Sequence, residues 1–249
     1  MFAVGAVRVV FTSRADGDFA LDATDVDDRR RRVTGGRAVT WLRQVHGTRV
    51  VTVGAPGHGV GFEADAAVTD RLDVALSVIT ADCAPVAVWS SGGSAIGIAH
   101  AGWRGLCAGV VENVIGHVRS MSASGTEICA LLGPCIHPEC YEFGSADLEL
   151  VRAHYGDVVC ARTTRGRPAL DLPATVRAAV TRAGGVVLND PTIAAARGCT
   201  ACDRTAGDRT GGDAMWFSWR ATRDRGRQGA FIWREPEPAK QPATREGTV

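Results

Sequence analysis

The chain has 249 residues, 45% of them hydrophobic, with 28 basic against 27 acidic side chains and a formal net charge of +1. That length and apolar fraction suffice for a buried core, while the charge balance leaves no global field to draw in nucleic acid or an anionic membrane, so neither is expected as a partner. No apolar stretch approaches the roughly 20 residues of a membrane-crossing helix, and residues 1–10 have no basic start followed by an apolar segment and a small-residue cleavage site, so a cytoplasmic protein is expected.

Residues 7–12 read as an early strand leading through Ser13 and Arg14 to a polar turn at Asp16, Gly17 and Asp18. The run DVDDRRRRV at 25–33 is acidic first and basic last, which suits the dipole of a short solvated helix better than a nucleic-acid patch. Residues 39–53 predict two strands around a His46-Gly47 turn, and the glycine- and proline-rich loop at 54–61 carries His58, read as exposed.

The stretch 77–106 organises the rest. Two short apolar runs, Val74–Thr80 and 84–89, and a small-residue run at 94–99 have the length of buried strands, and each stops at a reactive side chain. Asp82 and Cys83 fall in the first break, and His100 ends the third run before a turn through Gly102 and Gly105. Neighbouring strands of one sheet would set a thiolate and an imidazole on one edge, a metal-site pattern, although a buried cysteine and a hydrogen-bonded structural histidine would read the same way. His46, at its own strand-to-turn junction, is the third candidate.

Beyond Trp103, the apolar residues Leu106, Val110, Val114, Val118 and Met121 recur every three to four positions and predict one amphipathic helix, with Cys107 and His117 as packing and surface residues. Further elements are a strand at 127–132, helices at 146–155 and 172–183, the latter capped by Asp171 with Pro173 in its first turn, and strands at 186–188, 216–220 and 229–233. The polar loop 204–212 reads as mobile and 235–249, with three prolines, as a disordered tail after one domain spanning 1–234. Eight cysteines are too sparse for a disulfide scaffold and are expected as free thiols. Cys199 and Cys202 form a single C-x-x-C, a weak metal or redox signal without a second pair; a second ion held by Cys135, His137 and Cys140 is not expected, because Pro138 stiffens the loop between them.

The blocks RQVHG (43–47), TADCAPV (80–86) and AHAGWRG (99–105) resemble the signature segments of the YfiH, or laccase-domain, family, also called the polyphenol oxidase family. FTSR (11–14), LLGPCIHPECYEFG (131–144), CTACD (199–203), FSWR (217–220) and GRQGAFIW (226–233) match in the same order, so the resemblance covers nearly the whole chain. The Asn-Leu-Gly block usual in that family is not evident in FALDATDVDD (19–28), which leaves substrate contacts from that region open.

The resemblance implies a single α/β (α+β) domain of mixed sheets flanked by helices. It implies a catalytic zinc on His46, Cys83 and His100, with copper as the alternative ion. Three mixed N and S ligands leave a fourth position for water, as catalytic zinc sites do. Asp82 is the expected proton-transfer or ligand-orienting group, Arg14 and Arg104 are expected to bind substrate, Arg14 and Cys83 stand with Asp82 as catalytic residues, and Asp65 resembles the family's acidic residue or is a turn residue. The CTACD match implies a structural role for the C-x-x-C. The implied activity is phosphorolysis of adenosine, inosine or guanosine, with S-methyl-5'-thioadenosine as a further substrate, and hydrolytic deamination of adenosine; the partners are purine nucleosides and phosphate. Three other readings compete: a copper-dependent polyphenol oxidase, which six scattered histidines make hard to assemble; a metal-bound partner-binding module without turnover; and a cysteine hydrolase using Cys83 with His100, for which a zinc-bound thiolate is a poor nucleophile.

Overall fold

In the computed structural model, which describes residues 1–188, 198–203 and 213–236, two β-sheets lie face to face and helices cover their outer surfaces. The first sheet has the order β1-β2-β13-β6-β3, formed by Phe2–Val4, Val7–Phe11, Gln228–Arg234, Val74–Thr80 and Ala38–Trp41. The second has the order β12-β9-β7-β8-β5-β4, formed by Val186–Val187, Ile128–Leu132, Ala84–Ser90, Ile96–Ala101, Ala66–Thr69 and Val50–Thr52. A two-stranded ribbon pairs β10 (Cys160–Arg162) with β11 (Pro168–Leu170).

Apolar side chains from both sheets, including Val9, Leu76, Val78, Trp89, Ile98, Leu131 and Ile232, fill the space between them. On the outer face of the six-stranded sheet pack the helices α2 (Trp103–Ala108), α3 (Val110–Ser120), α4 (Ser145–Tyr155) and α5 (Leu172–Arg182), closing a second core around Val86, Ile115 and Val176. Helix α1 (Val26–Val33) covers Phe19, Phe231 and Trp233 on the opposite side. Because β6, β7 and β8 are covered on both faces, they read as nearly unbroken apolar runs instead of alternating ones. The expected mixed sheets flanked by helices are therefore present.

Several elements differ from the sequence reading. The strands expected on either side of His46 belong to different sheets, β3 to the first and β4 to the second. The chain crosses between sheets again from β6 to β7, through Ala81, Asp82 and Cys83. The helix expected from Trp103 to Met121 is broken at Gly109, whose φ of 93° ends α2 and starts α3. The strand expected at 216–220 is instead a short helix, α6 (Trp219–Thr222): Ser218 Oγ accepts from Ala221 N at 3.1 Å, and Phe217 N donates to the Gln228 side chain instead of to a neighbouring strand. At the start of the expected tail, Glu235 N donates to Ala6 O at 2.8 Å and its carboxylate meets Arg8 at 2.7 Å. The loop 204–212 and residues beyond 236 lie outside the described residues. None of the described helices is long and apolar enough to cross a membrane.

Candidate metal centre and substrate cavity

Strands β3 and β6 are parallel neighbours, so the chain leaves the first sheet twice at the same edge. One exit carries His46 and the other Cys83. Gln44 fixes the first against the second, because its amide donates to Ile79 O at 2.7 Å and accepts from Ile79 N at 2.8 Å. Cys83 enters β7 immediately before Ala84, which lies opposite Ala101 of β8, while Pro85 lies opposite His100. The sheet register thus sets the thiol beside the imidazole.

The three donor atoms of His46, Cys83 and His100 all lie within 4.8 Å of one another. His46 Nε2 is 3.8 Å from Cys83 Sγ, and the two imidazole rings meet edge to face at 4.8 Å. Their burial is graded: His100 is buried, Cys83 half-buried and His46 exposed at the cavity. His46 has a φ of 59°, a left-handed conformation unusual for a residue with a side chain, and the turn is held there by Asp65. The Asp65 carboxylate accepts from the backbone N–H groups of Val45, His46 and Gly47 at 3.1, 2.9 and 2.7 Å, and from His100 Nδ1 at 2.8 Å. Ala66 pairs with Ala99 across the sheet, which puts Asp65 alongside His100.

Burial alone would push the Asp65 carboxyl up, but the His100 hydrogen bond and the backbone donors hold it below the usual carboxylate range. Burial would likewise raise the Cys83 thiol, yet the His100 charge and the hydrogen bonds from His100 and His46 bring it down to about 6. His100 is lowered by burial and raised more strongly by the Cys83 charge and the Asp65 hydrogen bond, to about 9. At neutral pH Cys83 and His100 therefore face each other as a thiolate–imidazolium pair, and a metal held by both would take the place of the imidazolium proton. A zinc ion takes thiolate sulfur at about 2.3 Å and imidazole nitrogen at about 2.0–2.1 Å, and the observed separations fit that geometry with small inward shifts. His100, whose second nitrogen is fixed by a carboxylate, has the arrangement usual for metal-ligating histidines.

The centre opens into a cavity of about 600 Å³. Its wall includes Arg43, Arg104, Arg220 and Arg227, the rings of Tyr141 and Trp219, and the apolar residues Leu42 and Ile79. Arg104 lines the cavity, with its guanidinium stacked 4.3 Å from the Trp103 ring centre. Trp219 is 47% exposed at the cavity, with the Arg223 guanidinium over its ring at 5.4 Å from the ring centre. Burial raises the Tyr141 hydroxyl well above its ordinary range, reinforced by the Cys83 charge, so it stays a neutral donor.

Two expected residues make other contacts. Arg14 lies outside this cavity: its guanidinium pairs with Asp224, donates to Trp216 O at 2.8 Å and stacks on Phe217, which leaves it holding the α6 segment. Asp82 lines the cavity, yet its carboxylate accepts from Thr200 Oγ1, Ser218 Oγ and Arg220 N at 2.8, 2.7 and 2.6 Å. It anchors the distant loops, and the orienting hydrogen bond to a candidate ligand comes from Asp65. Sequence reasoning missed Tyr141, Trp219, Arg43, Arg220 and Arg227 as cavity residues. Trp219 and Arg220 had a signal, the FSWR block, but a strand reading obscured it.

The profile of the family described as multi-copper polyphenol oxidoreductase laccase matches residues 14–235. A Streptomyces coelicolor protein named purine nucleoside phosphorylase is 34% identical over 223 residues, covering 88% of this chain and 81% of that protein. The Escherichia coli protein named purine nucleoside phosphorylase YfiH is 31% identical over 212 residues, covering 83% and 79%. Among solved structures, a Neisseria meningitidis protein of the DUF152 family superposes with a TM-score of 0.76 at 29% identity, covering 93% of this chain and 95% of its own. Fold and sequence agree, and the chain belongs to the laccase-domain family of YfiH-type proteins.

Proposed function

We propose that this chain is a purine nucleoside phosphorylase that also deaminates adenosine by hydrolysis. The observation that carries the reading is the meeting, in one cavity, of a His-Cys-His donor set with aromatic rings and four arginines. A purine base fits against the exposed Trp219 ring with the Tyr141 hydroxyl as a neutral hydrogen-bond donor. Phosphate suits the guanidinium of Arg104 and the nitrogens that Arg43, Arg220 and Arg227 keep beyond their contacts to Glu63, Glu142 O and the 224–226 carbonyls. The relatives' names supply the same substrate pair.

His46, Cys83 and His100 would hold zinc, and Asp65, hydrogen-bonded to Nδ1 of His100, would leave the other ring nitrogen to the ion once its proton is displaced. When bound there, zinc supplies positive charge, a Lewis-acid site and acidification of water at neutral pH. In phosphorolysis a phosphate oxygen forms a bond to C1′ of the ribose as the bond from C1′ to the purine nitrogen breaks, and the base leaves with a proton. The chain's residues contribute positioning: the arginines bring phosphate to the sugar and the aromatic rings hold the planar base against the wall. In deamination, water adds at C6 of adenine and ammonia leaves, which requires no phosphate.

The two reactions separate experimentally. Adenosine without phosphate should yield inosine and ammonia, and release of free base with ribose 1-phosphate should require phosphate. Cys83→Ala should lose both. A folded, zinc-loaded protein that turns over neither nucleoside, and instead oxidises phenols in proportion to added copper, overturns the proposal in favour of a polyphenol oxidase.

A further inference from the structure

Three cysteines that share no residue with the cavity centre meet in a second cluster. Cys140 ends a short 3-10 turn, Pro138–Cys140, while Cys199 and Cys202 come from the C-x-x-C some sixty residues later. Their sulfurs all lie within 4.8 Å of one another. No ion was expected on Cys135, His137 and Cys140, and among the described residues the fold groups Cys140 with Cys199 and Cys202 instead. Cys135 pairs with Cys199 through a backbone bridge, and Thr200 N donates to Cys135 O at 3.0 Å, which brings the C-x-x-C loop onto the 138–140 turn. Cys202 is folded back by its N–H to Cys199 O at 3.4 Å, and Asp203 N reaches the same oxygen at 3.1 Å.

We propose that Cys140, Cys199 and Cys202 form a second metal site, which takes a thiophilic ion of the zinc class and fastens the two loops together. Three features support it besides proximity. The donors are sulfur alone, a set that selects zinc or copper(I) over magnesium, calcium or manganese. Around a tetrahedral zinc, thiolates at about 2.3 Å stand about 3.8 Å apart, so the cluster closes on an ion with a modest inward movement. The backbone N–H of His137 points at Cys199 Sγ at 3.5 Å, a donor placed to stabilise a thiolate. Cys199 is buried, Cys140 half-buried and Cys202 exposed, so an ion enters from the Cys202 side and has its fourth position there.

The site is joined to the cavity by covalent neighbours. Tyr141, next to Cys140, forms part of the cavity wall. Thr200, next to Cys199, donates through Oγ1 to Asp82, the residue preceding Cys83. Binding of an ion would fix both at once, which makes the cluster a staple for the cavity wall and not a centre of chemistry. The inference does not depend on which nucleoside reaction the cavity performs.

Cobalt(II), whose thiolate complexes absorb by charge transfer, is the probe. In full-length Cys83→Ala, the cavity no longer offers sulfur, so thiolate-to-cobalt charge transfer on titration under reducing conditions reports the new cluster alone. It should saturate at about one ion per chain, and adding the exposed-site change Cys202→Ser should weaken binding at least about tenfold, as loss of one of three ligands requires. Zinc should displace the cobalt. If folded Cys83→Ala gives no charge-transfer band, or if the band survives Cys202→Ser unchanged, the site is overturned. The same holds if mass spectrometry of the purified protein finds Cys202 in a disulfide with Cys140 or Cys199 that re-forms in preference to metal binding.

Discussion

At Asp65 a single carboxylate holds both imidazoles of the His-Cys-His centre, His100 through its ring nitrogen and His46 through the backbone of its turn. Asp65 is wholly buried, and each of these partners of its carboxylate is a donor, so an acceptor is needed at both oxygens. Asp65→Asn keeps the shape but turns an amide NH₂ toward N–H groups, leaving a buried donor facing a donor. We expect a loss of about 1–3 kcal/mol in urea denaturation and a fall of roughly 10–100-fold in zinc affinity by chelator competition. Unchanged zinc affinity would show that Asp65 does not orient the ligands. The sequence marked this aspartate only as a family acidic residue or a turn residue, because its partners lie 18 to 35 positions away.

At the scale of elements, the junction between β8 and α2 is built around the absence of a side chain. A Cβ at Gly102 would stand 2.8 Å from His46 Cδ2 and 3.2 Å from Cys83 Sγ, whereas the backbone there, φ −77° and ψ 159°, suits any residue. Gly102→Ala therefore tests packing at the centre without a backbone penalty. Overpacking of this kind costs about 1–3 kcal/mol. It should appear as a loss of about 10–100-fold in zinc affinity, with cooperative unfolding retained because His46 can yield toward the open cavity. Wild-type zinc binding in Gly102→Ala would mean that the donors meet in a different geometry. Glycine in AHAGWRG was legible as a turn residue, but its closeness to His46 and Cys83 depends on the meeting of two inter-sheet crossings.

For the whole molecule, the last described strand closes the first sheet from its middle: β13 lies between β2 and β6, pairing with both in antiparallel register. Its Phe231 and Ile232 are fully buried. Removing them amounts to two large core deletions, about 3–5 and 2–5 kcal/mol, in addition to the lost ladders, against a typical total stability of about 5–15 kcal/mol. A chain ended after Arg227 should show no cooperative thermal transition by circular dichroism and no ordered zinc centre. A sharp transition near that of the full chain would contradict this account of the core. The same topology makes most pairings long-range, so the site forms only when β2 and β13 have joined one sheet.

What the sequence determined by itself was local: the lengths of the buried runs, the amphipathic α3, the Asp171 cap of α5, and the three donors, each at the end of a run where a chain turns. Apolar run length and motif spacing are properties of contiguous residues, so they survive without a fold. The assignment of strands to sheets did not survive in this way, because a strand covered on both faces reads the same in either layer, and β3 and β4, or β6 and β7, part company only when the sheets stack. The same packing decided that Asp82 serves Thr200, Ser218 and Arg220, that Arg14 turns to Asp224, and that Trp219 starts a helix beside the cavity. It also brought Cys140 to Cys199 and Cys202. These contacts join residues tens to hundreds of positions apart, and their partners are chosen by the register and stacking of the two sheets, which no local period encodes.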